Sequence, residues 1–133
     1  MLEKLSIETS KRIQLIDVTQ KIQAIVSKQE INEGYCIVFV PHTTAAITIQ
    51  ENADESVPED LLNFLNKLVP QAGNYKHAEG NADAHIKSSL VGSSAVIPIK
   101  NSELLLGTWQ TVFFCEFDGP RKRNIIVQAV KTE

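Results

Sequence analysis

Cysteine, methionine and tryptophan are scarce in this 133-residue chain, at two, one and one. The cysteines, Cys36 and Cys115, sit in the apolar runs YCIVFV and VFFCEF, and no CxxC pair exists. That argues against a cysteine zinc site and for two buried, reduced thiols. HExxH is also missing. Gly73, Gly80, Gly92 and Gly107 match no Walker or dinucleotide fingerprint, and Ser88 and Ser89 lie outside any GxSxG elbow. Nucleotide binding by those routes and serine hydrolase chemistry therefore lack support. No apolar run approaches the roughly 20 residues of a membrane-spanning helix. The first residues, MLEKLSIETSKR, hold no signal-peptide core, so a cytoplasmic location is expected. A formal net charge of -3 gives no general pull toward nucleic acid or anionic membrane. An anionic ligand must be held by a local cluster.

What is present is ordinary globular material, 43% hydrophobic and 22% charged. The length suits one domain, residues 1–133. Residues 2–8 and 12–16 alternate loosely about a turn at Ser10-Lys11, which suggests an antiparallel hairpin. Asp17 is placed to cap a helix reaching about residues 29–31, with Val18, Ile22, Ile25 and Val26 on its core face. Gly34 suits a left-handed turn after it. Residues 35–40 read as a central strand, 43–50 as an alternating strand and 55–68 as a second helix. Residues 71–80 have no periodicity. The stretch 80–90, GNADAHIKSSL, reads as a third helix with two stripes. Ala82, Ile86 and Leu90 form an apolar one, and Asn81, His85, Ser88 and Ser89 a polar one. Strands are expected at 94–99, 103–106, 109–117 and 124–130. Helices do not alternate regularly with strands, which argues against a doubly wound parallel sheet. The expected class is α+β, one compact domain with a large mixed, mostly antiparallel sheet system and about three packed helices.

The chain has three histidines, His42, His77 and His85. Three imidazoles suffice for a zinc or other divalent metal site with an open position for water. Their wide spacing leaves three unrelated histidines as the alternative. Glu116 ends a strongly apolar strand, where a carboxylate needs a partner. With His42 and His85 it is a catalytic candidate. Asp83 stands four residues before Lys87 and is spaced to pair with it. Arg121, Lys122 and Arg123 follow the turn Asp118-Gly119-Pro120 as a basic cluster, either a solvated hairpin tip or a phosphate grip. Thr43, Thr44, Asn81, Lys87, Ser88, Ser89 and Arg121 are the candidate substrate contacts, aided by amides at the helix start.

Several segments occur in an order that resembles a known family: PHTTAAITIQENAD (41–54), HAEGN (77–81), AHIKSSLVGSSAVIPI (84–99) and GTWQTVFFCEFDGPR (107–121). They resemble the YjbQ-like family, the secondary thiamine-phosphate synthases, over nearly the whole chain. One departure is Ser102, where the family usually has glycine in the turn before GTWQ. The resemblance implies a compact α+β fold, a homotrimer and a weak thiamine-phosphate synthase activity. That reaction joins a pyrimidine diphosphate to a thiazole phosphate and releases pyrophosphate. It also implies a divalent metal, zinc or magnesium, on His42, His77 and His85, and a phosphorylated small-molecule substrate. A metal-dependent hydrolase with a three-histidine site and a non-catalytic trimeric metabolite-binding protein are the alternatives.

Overall fold

A computed structural model describes residues 2–132. The order of elements is β1 (Leu2–Glu8), β2 (Gln14–Asp17), α1 (Thr19–Lys28), β3 (Glu33–Phe39), β4 (Ala45–Glu51), α2 (Ser56–Leu68), α3 (Ala82–Val91), β5 (Ser94–Lys100), β6 (Glu103–Leu104), β7 (Gln110–Glu116) and β8 (Lys122–Lys131). Five strands form one sheet in the order β1-β8-β3-β5-β6, and three form a second in the order β2-β7-β4. The pairings are antiparallel. The α+β class holds, with three helices and eight strands among the described residues.

The expected hairpin of the first two strands does not form. β1 pairs with β8 and β2 with β7, in different sheets. Between them the chain is tied across, not back: Thr9 donates its N–H to the Arg121 carbonyl, and Arg12 reaches Asp83 of α3. A turn-like dipeptide and two alternating runs set local geometry but do not choose the partner strand.

Strand periodicity explains the layers. On the inner face of the larger sheet, Cys36, Val38, Ile97, Ile99, Ile125, Val127 and Ala129 pack against Ile22, Ile25 and Val26 of α1. Ile47, Val112 and Phe114 join this core from the smaller sheet. The opposite face of the smaller sheet gives Ala46, Cys115 and Phe117 to a second cluster with Leu65 of α2 and Ala84 of α3. The smaller sheet is thus covered on both faces, which is why VFFCEF is almost continuously apolar. Ile22 and Val26 are fully buried, and each such side chain contributes about 1.5–3 kcal/mol.

The turn glycine is also reassigned. After α1 the left-handed residue is Glu30, at φ 56°. Gly34 lies inside β3, where an added Cβ would stand 1.9 Å from the Val130 carbonyl oxygen. It permits close approach of two strands and makes no turn. Asp17 precedes the cap position, held by Val18, yet its carboxylate still accepts the Thr19 amide at 3.0 Å.

Helix α3 spans nearly the expected residues, but its two stripes do not divide buried from exposed. Asp83, Ala84, Lys87 and Ser88 are buried, while Ile86 and Leu90 of the apolar stripe are exposed. Charge pairing decides this. Lys87 Nζ donates to Asp83 at 2.8 Å and to Asn66 of α2 at 2.9 Å, and Arg12 grips Asp83 through both terminal nitrogens. Burial alone would raise the Asp83 pKa, but the bonds and charges of Arg12 and Lys87 outweigh it and hold the carboxyl below the usual range. No helix among the described residues is long and apolar enough to cross a membrane.

Candidate functional site

The ladder between β3 and β8 ends at Phe39 opposite Ile126. The chain leaves the sheet at Val40-Pro41, so Asn124, paired with Ser6 of β1 on one side, has no β3 residue on the other. The His42 ring takes that place: Nε2 accepts the Asn124 N–H at 2.9 Å. Burial lowers the His42 pKa, and the Arg123 charge pushes the same way against weaker opposing effects of Glu116 and the Asn124 bond. His42 is therefore neutral near pH 7.

Beside it lies a buried clamp. Glu116 is fully buried, accepting from Thr9 Oγ1 at 2.8 Å, from the Asp118 amide at 3.1 Å and from Arg123 Nε at 2.9 Å, with a further short contact to Arg123 Nη2. Arg123 Nη2 also donates to the carbonyl and hydroxyl of Thr44. Burial alone would raise the Glu116 pKa, yet the bonds from Arg123, Asp118 and Thr9 outweigh it and keep the carboxyl ionised. Glu116 thus acts on the Arg123 guanidinium, and its own exposure to a ligand is nil.

Three cavities adjoin one another along this side of the molecule. One, of about 510 Å³, is lined by Phe39, Val40, Pro41, His42, Thr43, Thr44, Ser93, Arg121 and Arg123. The next, of about 390 Å³, shares His42, Thr43 and Ser93 with it and adds Ala45, His85, Ser88, Ser89 and Gly92. The third, of about 370 Å³, shares His85 and adds Tyr75, Lys76, His77, Ala82 and Ile86. The result is a groove that passes all three histidines, with two arginines at one end and an apolar wall at the other.

The structure separates the expected contacts into three groups. His42, Thr43, Thr44, His85, Ser88, Ser89 and Arg121 line the groove. Ser88 is 8% exposed, and its hydroxyl has no partner although it is buried. Lys87 points away, enclosed between Asp83 and Asn66, so its ammonium is not free for a phosphate. Asn81 acts one step back. It donates to Asp118 at 2.8 Å, and Asp118 in turn holds Arg121 at 3.0 Å. Ser88 and Ser89 lie in the last turns of α3, at the carbonyl end and away from the amides at its start.

The histidines are neighbours along the groove and do not converge on a point. His77 and His85 meet edge to face with ring centroids 5.0 Å apart, and His77 Nε2 lies 3.7 Å from Glu79. Among the described residues no group of three or more His, Cys, Asp or Glu side chains is placed to hold a metal ion. A divalent ion near His77 and His85 would need donors beyond these two rings.

Arg12 and Arg123 are the residues that sequence reasoning undervalued. Arg12 meets Asp83 across 71 positions, and nothing local signals that. Arg123 had a signal: it keeps the inward phase of Ile125 and Val127, where a charge needs a buried partner.

The model of the family described as "UPF0047 protein YjbQ-like" matches residues 3–132. UPF0047 protein MJ1081 of Methanocaldococcus jannaschii is 53% identical, over 98% of this chain and 94% of its own length. UPF0047 protein YugU of Bacillus subtilis is 44% identical, over 96% and 98%. Solved structures agree. A YjbQ/UPF0047 family protein of Clostridium acetobutylicum superposes with a TM-score of 0.94 at 49% identity, covering 96% of this chain and 99% of that one. A YbjQ-like protein of unknown function from Sulfolobus solfataricus gives 0.95 at 32% identity, covering 99% and 97%. On sequence and fold together, the chain belongs to the YjbQ/UPF0047 family.

Proposed function

We propose that the groove binds a phosphorylated small molecule, and that thiamine-phosphate synthesis is the first reaction to test. The observation that carries this reading is the continuity of the groove from Arg121 and Arg123, past His42 and Ser88, to His85 and His77. Guanidinium groups at one end suit a phosphate. The apolar wall of Tyr75, Ala82 and Ile86 at the other suits an aromatic ring. Joining a pyrimidine diphosphate to a thiazole phosphate releases pyrophosphate, a leaving group that fixed donors stabilise.

The test is product formation from the two precursors, with and without added magnesium or zinc. The expected result is slow synthesis that His85→Ala lowers at least tenfold while the fold is retained, in line with loss of one positioned polar group. Equal rates in His42→Ala, His77→Ala and His85→Ala would remove the groove from the reaction. Binding of the precursors with no turnover would favour the metabolite-binding alternative.

The expected assembly is a homotrimer. It is supported by the outer face of the larger sheet, where Tyr35, Ile37, Val96, Pro98, Ile126 and Val130 adjoin through the β3, β5 and β8 register. Val96 is 62% exposed there. Phe39 continues this face into the arginine end of the groove.

A further inference from the structure

We propose that His42 is a fixed, neutral hydrogen-bond donor, presenting Nδ1–H to an anionic oxygen at the arginine end of the groove, and is not a metal ligand. The inference rests on the phosphate reading of that groove and assigns one residue's part in it.

The tautomer follows from a partner that can only donate. The Asn124 amide has one hydrogen and no acceptor capacity at nitrogen, so Nε2 facing it at 2.9 Å must offer its lone pair. In a neutral ring the proton then sits on Nδ1. That arrangement is held by the fold, because beyond Phe39–Ile126 β3 offers Asn124 no carbonyl and its N–H is met by the imidazole.

This polarity is the reverse of a metal site. A ligating histidine gives one nitrogen lone pair to the metal and donates its other N–H to a carbonyl or carboxylate. For His42 to ligate through Nδ1, its proton would have to move to Nε2 and face the Asn124 N–H. Two donors would then stand 2.9 Å apart and the backbone amide would be orphaned. A metal expected on three histidines therefore does not fit this one. A general base fails on the same ground, since the lone pair that would take a proton is already engaged.

What the ring can do is donate, and its surroundings suit an acceptor. Arg123 lines the same cavity. Its bonds run through Nε and Nη2, which leaves Nη1 as its remaining donor. Glu116 neutralises that guanidinium from the buried side, so the pair forms a dipole and not a free charge. Arg121 and the hydroxyls of Thr43 and Ser93 complete the lining. Such a site reads an oxyanion by direction as well as by charge.

The experiment is a long-range proton–nitrogen correlation spectrum of the full-length, nitrogen-15-labelled protein at pH 7. It is recorded after EDTA treatment, then with inorganic phosphate, then separately with zinc chloride. With three histidines in the chain the rings can be assigned by single substitutions. The expected result is an Nδ1–H tautomer for His42, an Nδ1 resonance that moves with millimolar phosphate, and no response of that ring to zinc. His42→Gln, whose amide oxygen can still take the Asn124 hydrogen, is expected to keep the fold and weaken phosphate binding about tenfold or more. An Nε2–H tautomer, or zinc carried on His42, overturns the inference. Phosphate that moves signals of Arg121 and Ser93 but leaves His42 Nδ1 unchanged overturns it while sparing the phosphate reading. Phosphate that moves nothing in the groove overturns both.

Discussion

At the scale of single residues the site is governed by charges that no ligand touches. Glu116 exists to hold Arg123, and Arg123 to hold Thr44 and border His42. Glu116→Gln would leave a guanidinium buried without its counter-ion, a change that costs about 3–5 kcal/mol. Urea unfolding at neutral pH measures it, and wild-type stability in that variant would refute the clamp. The pH dependence follows from the same groups. Glu116 and Asp83 both have pKa values below the usual carboxylate range. The unfolded chain therefore takes up protons first as pH falls. The stability these two contribute is complete above their unfolded values, about 4.3 and 3.9. It declines below them and is lost once pH drops through the folded values. Stability measured from pH 7 to 3 should decline first below about 6.5, where the unfolded chain protonates His42 before the folded one does, and then fall more steeply below about 4.5, the second fall being shallower in Glu116→Gln. Much of this was legible in the sequence: the three histidines, Thr43, Ser88 and Arg121 all line the groove. Glu116 was visible as a carboxylate in need of a partner, but its partner's identity was a matter of register. The spacing of Lys87 from Asp83 was legible, but not its burial, since Asn66 of α2 completes the pairing from another element.

At the scale of elements the helices and strands were readable, while their faces and partners were less so. Helix α3 has no clean apolar face, since its buried side carries Asp83 and Lys87 and its open side Ile86 and Leu90. Periodicity ranks residues by hydropathy, and here a closed ion-pair network outranks two aliphatic side chains. The β5–β6 turn offers a sharper test. Asn101 and Ser102 both adopt positive φ, at 53° and 64°. A non-glycine residue in that region costs about 1–2 kcal/mol, part of which glycine returns through its freer unfolded chain. Ser102→Gly should stabilise the protein by about 0.5–1 kcal/mol and raise Tm by roughly 1–4 °C. Calorimetry checks it, and a lowered Tm would show that the serine side chain has a role of its own. Gly34 behaves oppositely, because its constraint is space: the Val130 carbonyl occupies the place of a side chain.

At the scale of the whole molecule one large surface has no internal explanation. The inner face of the five-stranded sheet is filled by α1 and the smaller sheet. The outer face carries Tyr35, Ile37, Val96, Ile126 and Val130 around Gln128, and Val96 and Phe39 are exposed on it. Such an area in water favours association, in keeping with the proposed homotrimer. Val96→Glu should lower the sedimentation coefficient toward that of a monomer while leaving the circular dichroism spectrum intact. An unchanged coefficient would move the interface elsewhere. Because Phe39 borders the groove, the same variant should alter ligand affinity if subunits meet there. The α+β class was legible because it depends on counting elements. The split into two sheets was not, since β8 is drawn between β1 and β3 from the far end of the described chain. That order also dictates when the groove can exist during synthesis. β8 is the last strand of the described chain to emerge, and it must enter between β1 and β3, which wait without each other as neighbours. Arg123 and Asn124 arrive with it. A ribosome-bound chain lacking β8 has a His42 without its amide and a Glu116 without its cation, so the groove is closed into shape by the final insertion, and folding is expected to be slow and chaperone-sensitive at that step.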